Sequence, residues 1–277
     1  MDVVHATGGV IPPRSGASLV VTIHDLAFLH RPDQFTRRGV SFMTRALELA
    51  QRQADLIIVP SEATAEDCRG AGVEGRRLRV IPWGCAPVTI AERDRLSVRA
   101  AYSLPEEFLL WVGTAEPRKN LPTLIEAHER SQSDLPLILV GPSGWGSDAN
   151  LGTPGGTESI RHLGVVPDSV LSVLYDLATG FIYPSLMEGF GMPVLEAMAQ
   201  GAPVITSRGS ATEEVAGGAA RLVDPLDSGS IAVAIDEIAG DAVLRDELAQ
   251  RARTRAASLT WENTANLTAA VYREVAR

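Results

Sequence analysis

Short apolar runs alternate with amphipathic ones along the chain, and the alternation predicts strands followed by helices. Ser18-Leu-Val-Val-Thr-Ile-His24 and Asp55-Leu-Ile-Ile-Val-Pro60 are near-continuous β-branched runs, the pattern of parallel strands buried on both faces. Asp2 to Ala6 and Arg79-Val-Ile-Pro82 are shorter runs of the same kind. Between them, Phe35 to Gln53 sets Phe42, Ala46, Leu49 and Ala50 at helical spacing, and Ser61 caps a second helix. A polar stretch from Cys85 to Glu107, with a short helix at Glu92 to Tyr102, marks a boundary. Beyond it the alternation resumes. Strands are predicted at Glu107–Gly113, Leu135–Gly141, Leu163–Pro167, Gly180–Pro184, Pro203–Thr206 and Ala220–Asp224. Helices are predicted at Leu121–Arg130, Asp168–Leu177, Ser228–Gly240, Val243–Ala257 and Trp261–Val275, with a capped turn at Ser210–Val215. Strands that alternate with helices make an α/β protein with parallel sheets.

One stretch stands out, from Tyr183 to Thr206. It reads as strand, glycine-rich turn, helix, turn, strand. Gly189 and Gly191 loosen the backbone, Pro193 suits the first helical position, and Gly201 ends the helix. Free N–H groups around Gly189 to Val194, at the positive end of a helix dipole, make an anion site. Glu188 and Glu196 bracket the turn, which suits a sugar nucleotide: sugar near Glu188, diphosphate over the helix start, ribose near Glu196.

Arg118 and Lys119 lie where a strand-to-helix turn would present them, and a forked cation beside a point charge suits a diphosphate. His24-Asp25 closes the Ser18–His24 strand, and ligands in open α/β sheets sit beyond the carboxyl ends of strands. On position alone, His24 is equally a functional group or a strand cap bonded to nearby backbone.

Glu188-x7-Glu196 within Pro184-Ser-Leu-Met-Glu-Gly-Phe-Gly-Met-Pro-Val-Leu-Glu-Ala-Met resembles the signature of the retaining GT-B glycosyltransferases of family 4. Glu116-Pro-Arg-Lys-Asn120 and Thr22-Ile-His-Asp-Leu26 extend the resemblance, which runs from about His5 to the C-terminus and is strongest to mannosyltransferases. It implies two Rossmann-like, doubly wound parallel-sheet domains. Residues 1–88 would be the acceptor-side N-terminal domain, 89–106 a linker, 107–260 the donor-nucleotide domain, and 261–277 a helix returning toward the N-domain. The N-terminal domain is expected to be incomplete, because the family's glycine-rich loop after its first strand has no match upstream of Val3.

The resemblance assigns roles residue by residue. His24, Asp25 and Glu188 would be catalytic and face the sugar. Arg118 and Lys119 would hold the diphosphate with Gly189, Phe190 and Gly191, and Glu196 would hold the ribose. Backbone near Val165 and Val166 would take the base. The reaction implied moves a hexose, first mannose from GDP-mannose, to a glycan or lipid-linked acceptor with retention. No cofactor is expected and no metal, since no Asp-x-Asp motif is present.

Composition narrows the alternatives. The 277 residues carry a net charge of −9, with ten Lys/Arg against nine Asp/Glu in residues 1–88 and fifteen against twenty-five in the remainder. That balance argues against nucleic acid. Two cysteines, Cys68 and Cys85, suit a reducing compartment, and no signal peptide or membrane span is legible, so a cytoplasmic protein is expected. Arg37, Arg38, Arg45 and Arg52 along one helix offer a peripheral contact at the inner face of the plasma membrane, though a solvated face is the plainer reading. Three rival functions are a non-catalytic nucleotide-binding remnant, a glycosidase using the Glu pair, and an NAD-dependent oxidoreductase. The last would use Gly189-x-Gly191-x-x-Val194, which lacks a third glycine, with Glu213-Glu214 as the ribose acid.

Overall fold

The computed structural model describes residues 2–13, 16–144, 155–156 and 159–276. The chain forms two compact units. Unit 1 comprises residues 1–84, 188–190 and 259–277, and unit 2 comprises 85–187 and 191–258.

Unit 1 is built on strands β1 (Val3–Ala6), β2 (Ser18–Thr22), β3 (Leu56–Val59) and β4 (Leu78–Val80), all parallel and ordered β1-β2-β3-β4. Helices α1 (Ala27–His30), α2 (Arg37–Gln53) and α3 (Glu62–Gly70) connect them. The β-branched runs work as their pattern predicts, with successive side chains on opposite faces. Leu19, Val21, Ile57 and Val59 pack into a core with Leu47 and Ala50 of α2 and Ala65 and Cys68 of α3. Thr36 and Ser61 cap α2 and α3 by accepting from the backbone N–H three residues on.

Unit 2 starts with α4 (Glu92–Ala101) and runs through β5 (Leu109–Val112), α5 (Leu121–Arg130), β6 (Leu137–Val140), β7 (Gly155–Gly156), β8 (Ile160–His162) and α6 (Asp168–Leu177). It continues with β9 (Gly180–Tyr183), α7 (Met192–Gln200), β10 (Val204–Ser207), α8 (Ala211–Ala216), β11 (Arg221–Val223), α9 (Ser228–Gly240) and α10 (Ala242–Ala256). The sheet order is β11-β10-β9-β5-β6-β8-β7, parallel except for the β7 edge. The order reverses direction at β5, which pairs with β6 on one side and β9 on the other. Ligands bind at such a switch point, beyond the carboxyl ends of the strands.

The last helix, α11 (Trp261–Val275), belongs to unit 1. Its Val271, Tyr272 and Val275 pack on the second face of the first sheet, against Val20, Leu56 and Ile58. Ser18 Oγ donates to Val275 O at 2.6 Å, and Thr264 Oγ1 to Pro82 O at 2.8 Å.

The short helix expected at Glu92 to Tyr102 is α4, and its Arg95 grips Asp176 of α6 with Nε and Nη2 at 2.6 and 2.9 Å. Two expectations need revision. Leu163–Pro167 is loop, because Gly164 takes a φ of 73° and ends the strand at His162. Pro193 is the second residue of α7, which starts at Met192. Most of the glycine-rich sequence from Pro142 to Gly156 lies outside the described residues.

Candidate functional site

In unit 2 two loops meet beyond the carboxyl ends of the neighbouring strands β5 and β9. The β5–α5 turn contains Glu116-Pro-Arg-Lys-Asn120, with Asn120 in the left-handed region at φ 58°, where asparagine is tolerated. Asn120 Nδ2 donates to Pro184 O and Pro225 O at 3.0 and 2.6 Å. The carbonyl of Arg118 accepts from Leu186 N at 2.8 Å and Ser185 Oγ at 2.9 Å, which fixes the turn to the β9–α7 loop. The side chain of Arg118 is half-buried, pairs with Glu116 Oε1 at 2.6 Å and reaches Met187 O at 3.3 Å. Lys119 is buried, donates to the hydroxyl of Tyr183, and lies 5.0 Å from that ring's centroid.

Gly191 caps α7 with φ 107°, and a Cβ there would stand 2.7 Å from Thr212 Cγ2. Glycine is therefore required on two grounds, backbone angle and space. The predicted set of free N–H groups is smaller than expected. Val194 and Leu195 both donate to Gly191 O, and Pro193 has no donor.

Glu196 lies half-buried in α7. Burial pushes its carboxyl above the usual range, the hydrogen bond from Tyr175 acts the other way, and the charge of Asp168 adds to the rise. Tyr175 Oη donates to Glu196 Oε2 at 3.2 Å. Cys85 lies near this carboxylate, and burial together with the Glu196 charge raises its thiol. Val165 is exposed and Val166 buried, on the loop after β8.

Unit 1 holds the other predicted residues. His24 is exposed, and its Nε2 donates to Thr7 O at 2.7 Å, the backbone bond of the plainer reading. Its ring also packs on Trp83 at 5.3 Å between centroids, and Trp83 packs on Phe190 at 5.4 Å. Gly189 presses against the same corner: a Cβ there would fall 1.9 Å from His24 O. Ser61 Oγ and Thr64 Oγ1 both donate to Gly189 O, at 2.6 and 3.1 Å. Asp25 Oδ1 accepts from Ala27 N at 3.0 Å and opens α1. A cavity of about 390 Å³ opens beside His24 and Asp25, walled by Ile23, Phe28, Phe42 and Met43.

The predicted residues thus divide. His24, Asp25, Glu188, Gly189 and Phe190 belong to unit 1, and Arg118, Lys119, Val165, Val166, Gly191 and Glu196 to unit 2. Sequence reasoning misses Trp83, Tyr175 and Tyr183. The first two had a signal. Trp83 directly follows the apolar run Arg79-Val-Ile-Pro82, and Tyr175 lies seven residues from Asp168 on one face of α6. The oxidoreductase alternative loses its ribose acid: Glu213 and Glu214 sit on α8 rather than at a strand end, and Glu213 accepts from Gly209 N.

Residues 93–255 match the family model of glycosyl transferases group 1, and residues 1–87 that of glycosyltransferase family 4. The O-antigen chain mannosyltransferase B of Escherichia coli is 33% identical over 265 residues, which cover 92% of this chain and 70% of that protein. The serotype-specific mannosyltransferase WbdA of Escherichia coli is 34% identical over 254 residues, so that 88% of this chain spans 29% of that relative's length. Among solved structures, Anabaena HepE in complex with UDP and glucose gives a TM-score of 0.80 at 22% identity, over 93% of this chain and 72% of its own. That likeness is one of fold, and the fold is GT-B.

Proposed function

The chain belongs to the glycosyl transferases of group 1, and from that premise we propose that it moves a mannosyl group from a nucleoside-diphosphate sugar to a glycan or lipid-linked acceptor, with retention and without a metal. The observation that carries the reading is the cluster at the switch point of unit 2. There Arg118 and Lys119 lie on a turn that is hydrogen-bonded to the loop leading into α7, and Glu196 stands one turn into that helix.

The chemistry needs the bond between the anomeric carbon and the diphosphate oxygen to break, with the electron pair leaving on the diphosphate. A new bond forms from the acceptor hydroxyl oxygen, whose proton passes to the departing diphosphate. Positive groups fixed before the reaction stabilise the leaving charge without reorganising. Arg118, Lys119 and the start of α7 are assigned that task. Arg118 would exchange its bond to Glu116 for the diphosphate, a change from one anionic partner to another. Glu196 is assigned the ribose hydroxyls, and His24, Asp25 and Glu188 the sugar. Among the described residues no three His, Cys, Asp or Glu side chains cluster as metal ligands.

GDP is the first choice of nucleotide because relatives at 33% and 34% identity are named mannosyltransferases. UDP is the rival, since the structural neighbour HepE holds it. The peripheral membrane contact is part of the same proposal. Arg37, Arg38 and Phe42 are exposed along α2, whereas Arg45 and Arg52 already share Glu48 at 3.1 and 2.9 Å.

Calorimetric titration of GDP, UDP, ADP and NAD in EDTA tests the nucleotide. Binding of one nucleoside diphosphate, weakened in Glu196→Ala, supports the reading, and binding of NAD alone overturns it. Turnover of the matching labelled sugar nucleotide in EDTA, with NMR of the product's anomeric centre, tests metal independence and retention.

A further inference from the structure

Behind the carboxylate assigned to the ribose stands a column of aromatic rings, all within unit 2. Tyr175 on α6 is 2% exposed and packs edge-on against Phe181 of β9 at 5.2 Å. Phe181 stacks on Tyr183 at 5.7 Å with 19° between planes. The two ends of the column carry hydroxyls, and each hydroxyl holds a charged group. Tyr175 Oη donates to Glu196 Oε2 at 3.2 Å, and Tyr183 Oη receives the ammonium of Lys119. A phenol buried in a packed core has no rotamer freedom to spare, so a group bonded to it is held in place.

We propose that Tyr175 is a positioning residue for donor binding: its buried hydroxyl fixes one oxygen of Glu196 and so aims the other at the ribose. The proposal rests on the reading of Glu196 given above. A solvated glutamate samples several rotamers and loses that freedom on binding a ligand. Tyr175 removes the loss in advance. It occupies Oε2, and among the described residues Oε1 is the oxygen left to accept from ribose hydroxyls.

The same bond bears on charge. Glu196 must be ionised to accept from two hydroxyls, and burial works against that, while the phenol's hydrogen bond favours the ionised form. The groups facing Glu196 are Tyr175 and Asp168 from α6, and Cys85. The neighbouring strands β9 and β10 carry no charge. On α8, Glu213 bonds Gly209 N, and Arg253 of α10 lies against Gly201 at the far end of α7. Loss of the phenol therefore raises the Glu196 carboxyl further, and nucleotide affinity, which falls as the pH drops through that titration, falls at a higher pH.

The test is calorimetry of GDP and UDP and their 2′-deoxy and 3′-deoxy analogues, across a pH series, with wild type, Tyr175→Phe, Glu196→Ala and the double variant. Tyr175→Phe should weaken the bound ribonucleotide about tenfold, the loss of one hydrogen bond to a charged group. It should narrow the preference for ribo- over deoxynucleotide and move the acid limb to higher pH. It should add nothing to Glu196→Ala. Equal weakening of ribo- and deoxynucleotides, wild-type affinity, or full additivity with Glu196→Ala overturns the proposal, because each is what mere packing predicts. If Glu196→Ala itself binds the ribonucleotide like wild type, the ribose reading has failed first, and this proposal with it. Fluorotyrosine at position 175 keeps the packing and strengthens the donor, and it should move the acid limb to lower pH. An unmoved limb counts against the proposal even if Tyr175→Phe does not fold.

Discussion

Both units are parallel sheets made from the same kind of β-branched run, yet they are wound differently. In unit 1 the four strands lie in sequence order. No strand among those described there has its two successors leaving on opposite sides. In unit 2 the order turns back at β5, and the loops after β5 and β9 part there and are tied across the gap through Arg118 O. Such a division opens a crevice without the cost of a cavity in the core. Unit 2 therefore brings its predicted residues together by topology. Unit 1 brings its own together by contact: Gly189, His24, Trp83 and Phe190 meet because no side chain intervenes at Gly189. The first kind of site tolerates changes in packing, and the second does not.

That difference can be broken experimentally. Removing one cation of the switch point, Arg118→Ala, should lower donor turnover by about 10²–10³, the range for one lost group that stabilises leaving charge, with single-turnover kinetics as the measurement. A smaller, structural effect is expected at the contact site. Gly189→Ala drives a methyl into His24 O and should cost about 1–3 kcal/mol in urea unfolding, the usual range for overpacking. If it is neutral, the corner is softer than its geometry. Val271→Ala in α11 should cost roughly 1–2 kcal/mol through the cavity left against Val20 and Ile58, again in urea, and should leave nucleotide affinity in unit 2 unchanged.

The smallest effect is one of pH. His5 bonds Tyr272 Oη at 2.6 Å and Thr22 Oγ1 at 2.8 Å, and burial, then the neighbouring His24, hold it below its ordinary 6.5. A histidine kept neutral by folding contributes stability that is present above about pH 6.5 and lost as the pH falls below it. Melting temperatures compared on either side of that pH should drop less in His5→Gln than in wild type.

Much of this is legible in the sequence where one residue type meets one local need. The limits of α9 and α11 follow from their apolar spacing, and the end of α7 follows from Gly201, whose φ of 84° suits glycine. Of the candidate residues, His24, Arg118 and Lys119 are legible as groups beyond strand ends, and Gly189 to Glu196 as a glycine-rich turn leading into a helix. What is hidden depends on contacts between distant positions. Nothing local says that Lys119 is buried over Tyr183, that Arg118 is paired with Glu116, or that Tyr175 reaches Glu196. The strand misread at Leu163–Pro167 shows the converse. Its apolar residues look right, but a single left-handed glycine decides.

The bond from Ser18 to Val275 joins residues 257 positions apart. A chain made on the ribosome emerges from its N-terminus, and domains fold as units when their parts are available. The sheet of unit 1 emerges before unit 2, but the helix that covers its second face emerges after it. In between, Val20, Leu56 and Ile58 have no covering helix. Unit 1 is begun before unit 2 and finished after it, and through that interval its bare sheet face is prone to aggregation. Loss of the final helix should therefore show as aggregation of newly made protein before it shows as loss of any chemistry.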